Sequence, residues 1–389
     1  MNPTVAVVGA GLVGASAALA LARQGFHVQL LDRQAPQRQT GRLGMDIRNV
    51  ALSPASRALL TELGVWPEKH AATYRHMHVW EQWGTSHLHF SAADAQREEL
   101  GWLVEMSPLA LELWQHCEAR PGVDVQLAEI KTVSLQDDAV TLSFADHSQQ
   151  SFDFVLAADG ARSAVRTALE LAVQVTPTNQ VALATVVQTE RPHDDTAWQR
   201  FLIDGPLALL PGTNPHLSSV VWSQSAAAAE RRLQLRDEDF LTEIGAAIEH
   251  RLGRVVAVDQ RLTFPLSQQR INHCNPHPRL LFIGDALRVV HPLAGLGVNL
   301  GFEDVVQFMR VASRQPDLAA PGLWQKFNRQ RQARSTAMIG TLDLLRRFYA
   351  LDNPGGTLLR NAGVSAFNAL PGLKRQVMYE AMGLGPLSQ

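Results

Sequence analysis

Gly9, Gly11 and Gly14 form a Gly-x-Gly-x-x-Gly pattern between an apolar run and an Ala/Leu-rich stretch. Between a strand and a helix that spacing suits a diphosphate. Gly9 permits the tight turn, Gly11 lets the anion approach the backbone, and Gly14 lets helix and strand pack closely. Asp32 lies 18 residues beyond Gly14, where a carboxylate at a second strand end can accept the ribose hydroxyls of an adenosine. This unit does not separate FAD from NAD, and a tight turn without ligand is its alternative. Asp159-Gly160 follows another apolar run, and composition alone reads it equally as a plain turn. The stretch GDALRVVHPLAGLGVNLG, Gly284 to Gly301, begins with an acid after a third apolar run. Asp285 should therefore point from a strand end into a crevice. Gly295, Gly297 and Asn299 should precede a helix and leave exposed N–H donors at its positive end. Such an end can hold a flavin's N1–C2=O edge and stabilise an anionic reduced ring.

The elements that must position these groups follow from periodicity. Thr4 to Val8, Leu12 to Gln24 and His27 to Leu31 read as strand, helix and strand, a compact βαβ unit. Arg57 to Leu63 reads as helix, Tyr74 to Phe90 as a hairpin, and Leu109 to Arg120 as helix. Val123 to Val133 and Val140 to Leu156 read as β, with a turn at Asp146–Ser148. Val181 to Gln224 is β-like, Asp237 to Leu252 helical, Leu280 to Ile283 a buried strand, and the chain after Leu300 helical. The expected fold class is α/β: a Rossmann-like domain interrupted by a β-rich domain, with a helical C-terminal segment. The boundaries expected are 1–72, 101–178 and 273–330 for the first domain, 73–100 and 179–272 for the second, and 331–389 for the helical segment.

Composition narrows the function. A net charge of -2 with 19% charged residues gives no electrostatic case for nucleic acid. Two cysteines far apart, Cys117 and Cys274, fit a reducing cytoplasm better than a disulfide scaffold. Val5 to Ala22 lacks charge over 18 positions, but its glycines and alanines make a poor lipid-facing helix.

In this order the motifs resemble the group A flavoprotein monooxygenases with the p-hydroxybenzoate hydroxylase-like fold. More narrowly, the chain is similar to the ubiquinone-biosynthesis hydroxylases (the UbiH/UbiF/VisC group). That likeness rests on Asp46-Ile-Arg-Asn-Val-Ala-Leu-Ser53, Leu100-Gly-Trp-Leu-Val-Glu105, GPLALLP from Gly205, VVWS from Val220, FPL from Phe264 and HPLAGLGVNLG from His291. The C-terminal LPGLKRQVMYEAMGL matches as well.

The resemblance implies an FAD-dependent enzyme that hydroxylates an aromatic ring, a polyprenylated phenol in ubiquinone biosynthesis, through a C4a-hydroperoxyflavin. O₂ and NAD(P)H or another electron donor are implied with it. Gly9, Gly11, Gly14 and Asp32 would hold the ADP half of FAD, with Leu12, Val13 and Arg33 beside them. Arg48 would lie near the diphosphate and Glu105 near the ribityl or adenosine side. Asp285 would bind ribityl hydroxyls. Gly295, Leu296, Gly297, Val298 and Asn299 would line the isoalloxazine, with Pro292, Gly295 and Gly297 closest to the reacting edge. Asp159, Gly160 and Arg166 would close the groove. A same-fold reductase or halogenase, or a non-catalytic FAD scaffold in a biosynthetic complex, is the alternative.

The family usually reads Gly-Asp-Ala-Ala-His where this chain has Gly284-Asp-Ala-Leu287-Arg288, and Gln at Leu296. Leu287 and Arg288 are expected to repack a helix-side surface.

Further clusters have plainer readings. His76, His78, His87 and His89 fall on facing arms of the hairpin, with His70 and Glu81 near in sequence. A metal site is geometrically conceivable there, but a polar strand pair is the expectation, with no metal. His291 reads as structural. Trp80, Trp83 and Trp102 are expected to pack the domain junction. After Gln330, Arg331, Arg334, Arg346, Arg347, Arg360, Lys374 and Arg375 suggest a basic amphipathic helix. It could rest peripherally on the inner membrane beside other ubiquinone-biosynthesis proteins, or pack on the FAD domain with a solvated basic face.

Overall fold

The computed structural model describes residues 4–83, 87–290, 296–349, 361 and 363–385. Its centre is a parallel five-stranded sheet in the spatial order Leu280–Phe282, Phe154–Ala157, Thr4–Val8, His27–Asp32, Val123–Leu127. Near-continuous apolar runs suit strands covered on both faces, and Val5, Val7, Leu30, Leu156 and Leu281 are fully buried. The helix Leu12–Arg23 has only 12 residues, buried along nearly its whole length. The uncharged N-terminal run is thus a strand, a turn and a core helix. Among the described residues no helix is long and apolar enough to cross a membrane.

Two small antiparallel sheets join this core. Ile130–Leu135, Val140–Phe144 and Gln149–Phe152 form a meander, with the turn where the sequence places it. Asn49–Leu52, Gly101–Glu105 and Ala71–Tyr74 form the other. A nine-stranded sheet is built from His76–Glu81, His87–Ser91, Val173–Thr189, Thr196–Leu202, Gly205–Pro211, Leu217–Ser225, Val255–Val258, Leu262–Ile271 and Arg288–Val289. The boundary expected at 72/73 cuts the strand Ala71–Tyr74, and the one at 178/179 cuts the 17-residue strand Val173–Thr189. The helix Ala226–Gln234 was not legible as a separate element. It starts where the Ser225 side chain accepts Ala228 N–H at 3.2 Å, and it ends before Leu235.

Strand parity sorts the large sheet's two faces. Leu183, Leu207, Leu209, Val220 and Trp222 point to one side and pack under Phe240 and Ile244 of the helix Asp237–Ala247. Val186 and Leu210 point to the other and pack with Met45 and Leu103. This second face looks toward the parallel-sheet core.

His78 pairs across the hairpin with His89 and along the sheet with Trp198, so the histidines lie on the first face, away from that core. The His78 ring stands 4.4 Å from His89 and 4.9 Å from Trp198, while His70 leaves the cluster to meet Glu105. Among the described residues no group of three metal-ligating side chains forms. Burial, and then His89 and Arg251, push the His78 imidazole from 6.5 down to about 4. The fold therefore holds it neutral. Its contribution is complete above about pH 6.5 and is lost as pH falls toward 4, because protons bind the unfolded chain more readily. His78→Phe should flatten the fall in unfolding free energy across that window, and an unchanged slope would refute this role.

Trp80 and Trp102 are buried but not at the domain junction, since Trp80 meets Trp198 on the first face and Trp102 packs on Trp66 in the parallel-sheet core. Trp83 is 66% exposed. It follows the end of the hairpin's first strand, where no layer among the described residues covers it. The C-terminal basic residues are corrected too. Arg331 and Arg334 are buried against Glu303 and so are spent inside the protein, while Lys374 pairs with Asp94 at the surface. Arg360 and the side chains of Arg346 and Arg347 lie outside the described residues.

Candidate functional site

The turn between Val8 and Leu12 opens a groove of about 260 Å³ lined by Gly9, Gly11, Asp32, Arg33, Asp159 and Gly160. The three glycines divide their work. A Cβ on Gly9 (φ +99°) would lie 2.5 Å from Ala158 O, and one on Gly14 would lie 1.8 Å from Gly9 O, so both serve backbone packing. A Cβ on Gly11 would meet nothing within 4 Å among the described residues. Gly11 keeps open the space where an anion would reach the helix N-terminus.

Asp32 is aimed by its own turn: Oδ2 accepts Ala10 N–H at 2.6 Å and Oδ1 accepts Arg33 N–H at 2.6 Å. Each oxygen retains acceptor capacity for a ribose hydroxyl. Leu12 is buried in the core, and the Val13 side chain packs on Gly284 and Gly301. Those two would serve a cofactor through backbone alone.

Across the groove, Asp159 Oδ2 accepts Val165 N–H at 3.1 Å, while Oδ1 is buried without a hydrogen-bond partner among the described residues. Burial raises this carboxyl above the usual range. An unsatisfied acceptor in a groove wall is costly unless a ligand's donor meets it. Together with the open position at Gly11, this fits a dinucleotide carrying ribose hydroxyls and a diphosphate. Arg166 is buried and donates to Ala286 O at 2.9 Å, to Asp285 O at 3.4 Å and to Ala161 O. It ties the Asp159-Gly160 turn to the Asp285 turn.

Asp285 sits in the short 3-10 turn after the strand Leu280–Phe282, with its side chain reaching solvent. The surrounding protein raises its carboxyl above the ordinary range, and Arg288 and Arg166 oppose that shift.

Three expectations change. Gly297 and Asn299 do not precede a helix, since the helix Leu296–Ala312 already contains them. Leu296 to Val298 supply first-turn N–H groups, which lack intrahelical acceptors in any α-helix. Asn299 is buried and structural: Oδ1 accepts Ser53 N–H at 2.9 Å and Ser56 O–H at 2.6 Å, and Nδ2 donates to Ala51 O at 2.7 Å. Glu105 is likewise engaged, with Oε2 accepting Asp46 N–H at 2.8 Å and Oε1 3.0 Å from His70 Nδ1. Leu287 and Arg288 are buried rather than on a helix-side surface. His291, Pro292 and Gly295 lie outside the described residues, as does the Leu296 side chain.

The sequence reading passed over Asp46 as a hub. Its Oδ1 accepts Arg48 N–H and its Oδ2 accepts Ser107 N–H, each at 2.9 Å. This fixes the backbone of Arg48, whose side chain is exposed and unpaired among the described residues. The Asp46-x-Arg48 spacing just ahead of an alternating run was the available signal.

A parallel sheet whose first turn forms a diphosphate cradle, faced by a second acidic strand-end turn and joined to a large antiparallel sheet, defines a dinucleotide-binding flavoprotein. Residues 2–341 match the family described as FAD binding domain, and the chain belongs to that family. Among curated proteins it is 33% identical over 392 residues to 3-demethoxyubiquinol 3-hydroxylase of Escherichia coli, covering 98% of this chain and 99% of that one. It is 31% identical to the ubiquinone hydroxylase UbiL of Rhodospirillum rubrum, covering 98% and 90%. Among solved structures, p-nitrophenol 4-monooxygenase PnpA from Pseudomonas putida superposes with a TM-score of 0.77 over 99% of each chain at 17% identity, a likeness of fold.

Proposed function

We propose that this chain is an FAD-dependent monooxygenase that hydroxylates the aromatic ring of a polyprenylated phenol on the route to ubiquinone, with NAD(P)H or another donor supplying electrons. The observation that carries the FAD reading is the pairing of an open Cβ position at Gly11 with the unpartnered buried oxygen of Asp159 across one groove. The substrate class is supported by near full-length likeness to two ubiquinone-pathway hydroxylases.

When bound, the flavin would supply activation of O₂ for transfer of one oxygen atom to an electron-rich ring. This chain's residues have the other tasks. Gly11 with the helix end at Leu12 and Val13 would hold the diphosphate, in a turn that Gly9 and Gly14 allow to pack. Asp32 orients the adenosine ribose beside Arg33. Arg48 reaches the diphosphate from the far side, and Asp285 takes ribityl hydroxyls. The amides of Leu296, Gly297 and Val298 would meet the ring edge. Glu105 and Asn299 act by holding Asp46 and the strand Asn49–Leu52 in place. The buried sheet face bearing Ala182, Ala184, Ser219 and Ser223 would wall a substrate chamber and keep water from the reacting centre. Ser219 Oγ lies 3.2 Å from Asn49 Nδ2, which places this face beside the cofactor domain.

In this division the parallel sheet and its helices bind FAD, the nine-stranded sheet bears the phenol, and the segment after residue 330 closes the chamber. Leu344, Leu370, Leu373 and Val377 are exposed there and would meet the membrane surface that holds a polyprenyl tail. A strain lacking this chain and any redundant hydroxylase should accumulate an under-hydroxylated quinone precursor, restored by the wild-type chain. A normal quinone pool in that strain would contradict the substrate assignment.

A further inference from the structure

Arg288 stands where the family usually has histidine, and it ties the Gly284–Asp285 turn to the helix beyond it. It is 3% exposed. Its Nη1 donates to Asp304 Oδ2 at 2.7 Å, and its Nη2 donates to Asp304 Oδ1 and to Leu300 O, both at 3.0 Å. Asp304 is fully buried, and its Oδ2 also accepts Gly284 N–H at 2.9 Å. One carboxylate therefore grips both the amide that begins the Asp285 turn and a guanidinium bonded to the second turn of the helix Leu296–Ala312.

A second layer backs the pair. Arg331 lies 3.7 Å from Asp304 and 3.5 Å from Glu303, and Arg334 joins Glu303 to Glu380 of the C-terminal helix at 2.9 and 3.2 Å. A buried ion pair is weak evidence for stability, because desolvation offsets the attraction and apolar packing can replace it. What the bidentate fork supplies that packing cannot is a fixed direction at both ends.

We propose that Arg288 is a positioning residue for flavin. Its pair with Asp304 holds the Gly284–Asp285 turn and the start of the following helix in the arrangement that receives the isoalloxazine, and it does so with a cation that does not titrate. The inference rests on the FAD reading of the groove. Among the described residues the charged and titratable groups around Arg288 are Asp304, Glu303, Asp285, Arg331 and Cys274. A histidine placed at position 288 would carry the pair between charged and neutral near neutral pH.

The test is FAD titration of full-length apoprotein, following flavin fluorescence from about pH 5.5 to 9, for wild type, Arg288→Lys, Arg288→His and Arg288→Met. Arg288→Lys, which keeps the charge but loses the fork, should weaken binding about threefold, and Arg288→Met should weaken it at least about tenfold, as expected for loss of a charge-assisted contact. Arg288→His should come closest to Arg288→Lys at low pH, where the imidazolium meets Asp304. The ratio of its Kd to that of wild type should then climb about tenfold as pH rises through the imidazole range. If Arg288→Met does not fold, the histidine ratio still decides. A ratio independent of pH, or Arg288→Met binding like wild type, would overturn the proposal while leaving the FAD reading intact. Wild-type protein that takes up no FAD would remove both.

Discussion

Gly11→Val should fold normally and be colourless. Gly11 has φ -68° and ψ -178°, a conformation open to any residue, and its Cβ would meet nothing within 4 Å among the described residues. Folding should therefore change by no more than about 0.5 kcal/mol, as for an unconstrained surface site. The added branches would project into the groove where a diphosphate must touch the backbone. Flavin affinity should fall by at least about a hundredfold, so that desalted protein shows no flavin absorption beside a wild-type melting curve. The contrast with Gly9 and Gly14 sharpens the expectation. There a Cβ would strike backbone at 2.5 and 1.8 Å, so alanine should damage the fold itself. Yellow, FAD-replete Gly11→Val would show that the groove holds something other than the diphosphate.

Asn299→Ala should be strongly destabilising. It removes three hydrogen bonds at once and leaves Ser53 N–H and Ala51 O without their side-chain partner. Unpaired buried groups cost roughly 1–3 kcal/mol each, which sets the expected loss at about 2–4 kcal/mol in urea unfolding. The strand Asn49–Leu52 would also come adrift from the helix Leu296–Ala312, loosening Arg48 and the helix end together. Asn299→Asp should recover part of the loss, since one carboxylate can still accept from Ser53 and Ser56. If Asn299→Ala unfolds at the wild-type urea midpoint, the amide is not the clamp described.

Much of this was legible in sequence because local rules and tertiary needs coincide in the βαβ unit. Turn geometry and spacing single out Gly9, Gly11, Gly14 and Asp32, and the structure puts Gly9, Gly11 and Asp32 in one groove with Gly14 packed behind Gly9. The His76–His89 hairpin was legible in the same way, since alternation sets register. What sequence could not supply is which partner a polar group chooses. Asn299 and Glu105 carry the residue types of ligand contacts, yet both are spent on neighbours distant in the chain. The basic residues after position 330 looked like a surface strip because Glu303, which neutralises Arg331 and Arg334, lies a helix earlier. Trp83 differs for the opposite reason: an aromatic type favours burial, but it stands 66% exposed among the described residues.

The most direct measurement is the origin of the oxygen that the enzyme adds. Quinone precursor extracted from the deletion strain is incubated with FAD-loaded protein and NADH or NADPH under oxygen-18 gas, and the product is weighed by mass spectrometry. The account requires one heavy oxygen on the ring from the gas and none when the label is supplied as water. A product labelled from water, or no product from protein that has bound FAD and been reduced, would contradict it.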